Sequence, residues 1–207
     1  MPEPAVVDTV VLRYFLFVAR QDLLVALLGR PLMVPRVVFD PDEGDVSEVA
    51  MSELTRSIRF QRGAAADPGR LPAARARAAT NADRLQAISE MHVRRDVQVV
   101  DLETDELELF ARLTSIEGSR SLGLHFAIQP GEAACVALAV KRGWVLATDD
   151  QDALTALEAL DPGHAYERIR RLLQRAAEAG LISQDEANDL HAGMRRLGFR
   201  DREVPFP

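Results

Sequence analysis

The chain has 207 residues, enough for one domain with an appendage, and 47% hydrophobic residues supply a sizeable core. A formal net charge of −7 excludes a binder that is basic overall, and a lone cysteine, Cys135, excludes a disulfide framework or a thiolate metal site. No apolar run reaches the ~18 residues of a membrane span and the first residues lack a basic signal region, so the expectation is a soluble, cytoplasmic protein with no membrane partner. Lys141 is the only lysine, an arginine bias that fits a GC-rich genome at least as well as phosphate recognition. His92, His125, His164 and His191 are scattered without ligand spacing.

In chain order, residues 5–9 read as a short strand ending at Asp8, and residues 10–28 as an apolar helical stretch in which Gln21-Asp22 opens a second helix. Residues 30–39 read as a second strand with Pro35 near an edge or bulge, followed by an acidic loop over 40–45. Residues 46–62 are helical, 63–72 form the best linker, and 73–94 form a long Ala/Arg helix with one narrow stripe of Leu85, Ile88 and Met91, suited to covering a surface. Its arginines, with Arg56, Arg59 and Arg62, make the most basic region: a solvated face, or an RNA-facing one. A third strand falls at 97–100, a helix with acids in its first turn at 104–113, and mixed loop, a candidate lid, at 115–128.

The most informative stretch is 131–150. Gln129-Pro130-Gly131 is turn chemistry opening an almost wholly apolar helix, which ends at Lys141-Arg142-Gly143. Trp144 to Ala147 then reads as a strand covered on both faces, and it runs into Thr148-Asp149-Asp150. A short helix spans 153–160, no final strand is legible after Asp150, and an amphipathic helix is expected over 166–179. Ser183-Gln184-Asp185-Glu186 is a capping-box pattern that opens a last helix to Leu197.

Alternating strands and helices imply a mainly parallel sheet, which binds ligands beyond the carboxyl ends of its strands. If the strands ending at Asp8 and before Asp149-Asp150 are neighbours, they and Glu132 converge without a lysine nearby. Like charges so close need neutralising, and a hard divalent cation, Mg2+ or Mn2+, does this with oxygen ligands.

The motifs carry a resemblance. Val6-Val7-Asp8-Thr9 before an apolar helix resembles the opening of a PIN domain, and residues 46–54, ending Ser52-Glu53-Leu54, resemble the family's second motif. Pro130-Gly131-Glu132-Ala133-Ala134 resembles the third, in the branch with Gly-Glu-Ala, and Thr148-Asp149-Asp150 the fourth. The motifs span about residues 5–155, and the tail from Gly180 resembles the end of one bacterial branch.

The resemblance implies a three-layer α/β/α PIN-like fold over 1–160, with an Arg-rich helical insertion at about 63–94 and a C-terminal helical hairpin over 161–207 packed on the same domain. It implies a Mg2+- or Mn2+-dependent endoribonuclease, of the kind found among VapC-like toxins of toxin–antitoxin pairs, that hydrolyses RNA to 5′-phosphate and 3′-hydroxyl ends. RNA is then the substrate, with an antitoxin protein and a homodimer as candidate partners. Asp8, Glu53, Glu132 and Asp150 would form the catalytic quartet. Asp8, Glu132 and Asp150 would hold metal, with Asp149 replacing Asp150 if the strand ends one residue earlier, and Glu53 would orient or deprotonate the attacking water. Thr9 and Thr148 would hydrogen-bond a carboxylate or the substrate phosphate, or act as caps. Asp8 and Glu53 lie further apart than the family pattern, which makes Asp40 a rival for the second acid. The alternatives are a non-catalytic PIN-like module that binds RNA or protein, and a structure-specific DNA nuclease.

Overall fold

The computed structural model describes residues 3–43 and 51–201. Five strands, β1 (Ala5–Val7), β2 (Leu32–Pro35), β3 (Val97–Val100), β4 (Val145–Ala147) and β5 (Tyr166–Glu167), form one sheet in the order β3-β2-β1-β4-β5, and every pairing is parallel. The class is α/β, as the alternation of elements leads one to expect.

Two helices, α1 (Thr9–Phe17) and α2 (Gln21–Leu28), connect β1 to β2, and α3 (Glu53–Ala66) and α4 (Pro72–Val93) connect β2 to β3. The return to β4 runs through α5 (Thr104–Leu113), α6 (Ile116–Ser121) and α7 (Pro130–Arg142). After β4 come α8 (Gln151–Leu160), β5, α9 (Ile169–Glu178) and α10 (Gln184–Arg196). Helix α7 packs on β1, β2 and β4 and meets α5 and α8, while α1, α2, α4, α9 and α10 contact one another in a second group. The strand order reverses between β1 and β4, the crevice where open α/β sheets place ligands.

Burial follows the apolar pattern. Val6, Val7, Leu12, Phe15, Leu32, Leu138 and Leu146 are inaccessible or nearly so, and α7 contributes an unbroken buried run from Ala133 to Ala139. Gly143 ends α7 in the left-handed region, at φ 65°, which a residue with a Cβ adopts reluctantly.

Several expectations change. The stretch 166–179 is not one helix: Tyr166–Glu167 pairs with β4 before α9 begins, so the fifth strand exists, and residues after 160 contribute to the sheet. Two residues are too short to show an alternating pattern, which is why the strand is invisible locally. Helix α3 runs on through Gly63 to Ala66, leaving a connection to α4 shorter than the expected linker. Leu85, Ile88 and Met91 are completely buried, so α4 fills core as well as covering surface. Pro35 closes an interior strand, and the ladder continues through Arg36 N–H to the Val100 carbonyl at 3.1 Å. The candidate lid is tied down: it holds α6, and Leu124 and Ile128 are buried. The expected helix start over 46–50 lies outside the described residues. Among the described residues no helix is long and apolar enough to cross a membrane.

Candidate active site

The site is built at the carboxyl ends of β1 and β4. Val7 pairs with Ala147, so the residues that follow, Asp8 and Thr148, emerge side by side. Asp8 N-caps α1, its Oδ1 accepting from Thr9 N–H at 2.6 Å, and the side chain is almost wholly buried. Thr148 is fully buried; its hydroxyl donates to Asp8 Oδ2 at 2.8 Å and accepts from Asp150 N–H at 3.1 Å. Asp150 caps α8, with Oδ1 accepting from Asp152 and Ala153 N–H at 2.8 and 2.9 Å.

The second half comes from α3 and α7. Glu53 N–H donates to the Val37 carbonyl and Leu54 N–H to the Val38 carbonyl, both at 3.0 Å, which ties the start of α3 to the chain just beyond β2. The Glu53 carboxylate accepts from the Thr9 hydroxyl and, at 3.0 Å, from Gly131 N–H in the first turn of α7. Free N–H groups at a helix start favour an anion. A Cβ on Gly131 would lie 2.4 Å from Glu53 Oε2, so glycine is what allows this approach. Glu132 closes a capping box with Gln129, its Oε2 accepting from Gln129 N–H at 3.1 Å.

Asp8 and Glu132 feel the acids around them. Burial raises Asp8 to about 7; the Thr148 hydroxyl opposes this, and the charges of Glu53 and Asp150 reinforce it. Burial raises Glu132 to about 8, helped by the charges of Asp150, Asp8 and Glu53. The charges that weigh most on either acid are those of the other carboxylates. Cys135, one helical turn beyond Glu132, is buried beneath the same charges, and burial pushes its thiol up.

The other candidates are placed differently. The side chain of Asp149 is buried but engaged elsewhere: Oδ2 accepts from Ile169 N–H at 2.6 Å and Oδ1 from Arg168 Nε at 3.1 Å, at the start of α9. Asp40 accepts from Arg36 Nη1 at 2.7 Å and from Asp42 N–H at 3.0 Å, and it is not among the charges felt by Asp8 or Glu132. Thr9 and Thr148 each donate to a carboxylate of the cluster. Gly131 is the residue that sequence reasoning did not single out for a role. A glycine inside the first turn of a helix is unfavourable on propensity alone, and that was the available signal.

The donor set is all oxygen, suited in kind to a hard divalent cation. Among the described residues Glu132 Oε1 and Asp150 Oδ2 accept no hydrogen bond, whereas both oxygens of Asp8 and of Glu53 do. Among those residues no group of three or more His, Cys, Asp or Glu side chains is arranged to hold a metal ion as it stands. No family model, curated protein or solved structure matches the chain.

Proposed function

We propose that the chain is a PIN-like endoribonuclease that works with Mg2+ or Mn2+. One observation carries this: four carboxylates, Asp8, Glu53, Glu132 and Asp150, come together at the switch point of a parallel sheet, where Asp8 and Glu132 are raised by burial and by the charges of their acidic neighbours. An acid raised by burial and neighbouring charge in such a crevice, as Asp8 and Glu132 are, is a candidate for chemistry. The ordered motifs of the PIN resemblance support the same reading.

Asp8, Glu132 and Asp150 would hold the ion, and Glu132 Oε1 and Asp150 Oδ2 accept no hydrogen bond from a described residue. When bound, such an ion stabilises charge on a phosphoryl oxygen and acidifies water. Glu53 receives the proton of the attacking water on its carboxylate, which the Thr9 hydroxyl and Gly131 N–H hold in place. Thr148 keeps Asp8 aimed and ties it to the Asp150 backbone. Asp150 is preferred to Asp149, whose two oxygens serve α9, and Glu53 to Asp40, which serves Arg36.

The decisive measurement is cleavage of labelled RNA by Asp8→Asn, which keeps the side chain's shape. The rate should fall by more than roughly 100-fold, beyond the loss typical of a supporting residue. A wild-type rate overturns the assignment. Cleavage of matched DNA at the rate of RNA would move the substrate class.

A second reading, a non-catalytic PIN-like module, is favoured by the absence of a ready-made metal arrangement among the described residues. Calorimetric titration with Mn2+ separates the two. Binding that vanishes in Asp150→Asn excludes the inert module, and no binding heat at all supports it.

A further inference from the structure

Two adjoining surface clefts, of about 620 and 460 Å3, lie beside α1 and share Phe17 and Leu197 in their walls. Arg77 and Arg84 of α4 and Arg196 at the end of α10 line the first; Arg13 of α1 and Arg56 and Phe60 of α3 line the second. Neither lining includes an Asp or Glu, in a chain of net charge −7.

These arginines differ from many others in the molecule. Arg20, Arg36, Arg94, Arg142, Arg168 and Arg175 all pair with carboxylates. Among the described residues none of the five cleft arginines does. Arg13 lies over the Tyr14 ring at 5.2 Å, Arg56 Nη2 donates to the Met51 carbonyl at 3.0 Å, and Arg84 donates to the Phe17 carbonyl. Arg77 and Arg196 are exposed and make no ion pair with a described residue. Five cations without a counter-charge among the described residues attract an anion from outside.

The clefts also point at the acids. Arg56, Ser57, Phe60 and Gln61 follow Glu53 at i+3, i+4, i+7 and i+8, so they share its face of α3. Arg13 and Phe17 follow Thr9 at i+4 and i+8 on α1. Because the Thr9 hydroxyl donates to Glu53, the two faces start from the same place. From there the wall extends roughly 12 Å along either helix, at ~1.5 Å per residue.

We propose that this arginine-lined cleft is the track for single-stranded RNA leading to the acidic cluster, an inference that rests on the ribonuclease reading above. Guanidinium forks bind successive phosphates, and the Phe60 ring, 64% exposed, stacks on an unpaired base. That ring is why a single strand fits better than a duplex, whose bases are already stacked.

The test is binding of a labelled, mixed-sequence single-stranded RNA of about 20 nucleotides, followed by fluorescence anisotropy in EDTA so that no cleavage intervenes. Arg77→Gln with Arg196→Gln should weaken binding by roughly tenfold or more and lower the salt slope by about 1.4, two phosphates at about 0.7 each. Phe60→Ala should cost roughly tenfold. All three side chains are exposed, and circular dichroism melts verify that the variants are folded. Wild-type affinity in these variants, duplex RNA bound as tightly as the single strand, or no binding by the wild type overturns the proposal. Cleavage in Mn2+ distinguishes the two readings. A wild type that cuts RNA, with cleft variants that bind and cut normally, removes the track and keeps the nuclease. Variants that lose binding, with an Asp8→Asn rate unchanged, keep the track and remove the proposed site.

Discussion

The two ends of α7 treat carboxylates in opposite ways. At the C-terminal end Arg142 donates to both oxygens of Glu106, at 2.5 and 2.8 Å, and Glu106 is nearly inaccessible. Burial alone would raise Glu106, yet the Arg142 guanidinium and the Glu103 N–H hold it below its ordinary range. At the N-terminal end Glu132 faces Asp150, Asp8 and Glu53, and its pKa rises to about 8. The helix start favours acids, but it does not neutralise four of them. Burial with a counter-charge keeps a carboxylate ionised, whereas burial among like charges favours its protonated form unless another cation neutralises it.

The sharpest way to break this contrast is at Glu53. Glu53→Gln should reduce the rate of RNA cleavage by about 10²–10⁴-fold, the usual contribution of a positioned base. Initial rates in saturating Mn2+ measure it, and a rate within tenfold of wild type would remove Glu53 from the chemistry. The matching change at the other end is Arg142→Gln, which strands a buried Glu106. It should cost about 3 kcal/mol of stability in a urea titration and, on the proposed function, leave the cleavage rate of the folded protein alone. Unchanged stability would mean that Glu106 needs its partner no more than Glu132 needs one.

Gly131→Ala tests the seat of Glu53 without touching an acid. The new methyl group displaces the Glu53 carboxylate, the far end of a movable side chain, so the fold should hold while the rate drops roughly 10–100-fold. A full rate in a variant shown to be folded would show that Glu53 does not need the Gly131 N–H.

The pH dependence should show the contrast more gently. Asp8 and Glu132 have folded pKa values, about 7 and about 8, above their ordinary 3.8 and 4.5. The native state therefore holds protons that the unfolded chain has released, and their stabilising contribution is fully present below about pH 4 and lost as pH rises through 7 to 8. Between pH 5 and pH 8 the Tm of the metal-free protein should fall by about 3 °C or more, and Mn2+ should reverse the fall. A Tm that rises steadily over this range without metal would contradict the like-charge cluster. The smallest effect belongs to Asp40→Asn, which removes a partly exposed partner of Arg36: within about 0.5 kcal/mol in stability, and no change in rate.

Much of this was legible in the chain because it is written locally. Asp8, Glu132 and Asp150 each stand beside a marker of a strand end or helix start, and the structure brings their charges together. Glu53 had no such marker beyond the resemblance of Ser52-Glu53-Leu54. Its place depends on Thr9 and Gly131, 44 and 78 residues away in the chain. Local pattern did not distinguish Asp149 from Asp150 either, because what engages Asp149 is the start of α9, 19 and 20 residues on.

The sequence by itself determined the alternation of strands and helices, the ends of α7, α9 and α10 at Gly143, Gly180 and Gly198, and the Ser183 cap. Each of these depends on residues within about one helical turn of each other. Only the tertiary structure decided that β1 and β4 are neighbours, that β5 extends the sheet, that Glu53 lies on the first turn of α7, and that five arginines without carboxylate partners among the described residues line the clefts beside α1. Those outcomes rest on contacts between residues tens of positions apart, where the gain from packing and pairing outweighs the preference of any short stretch.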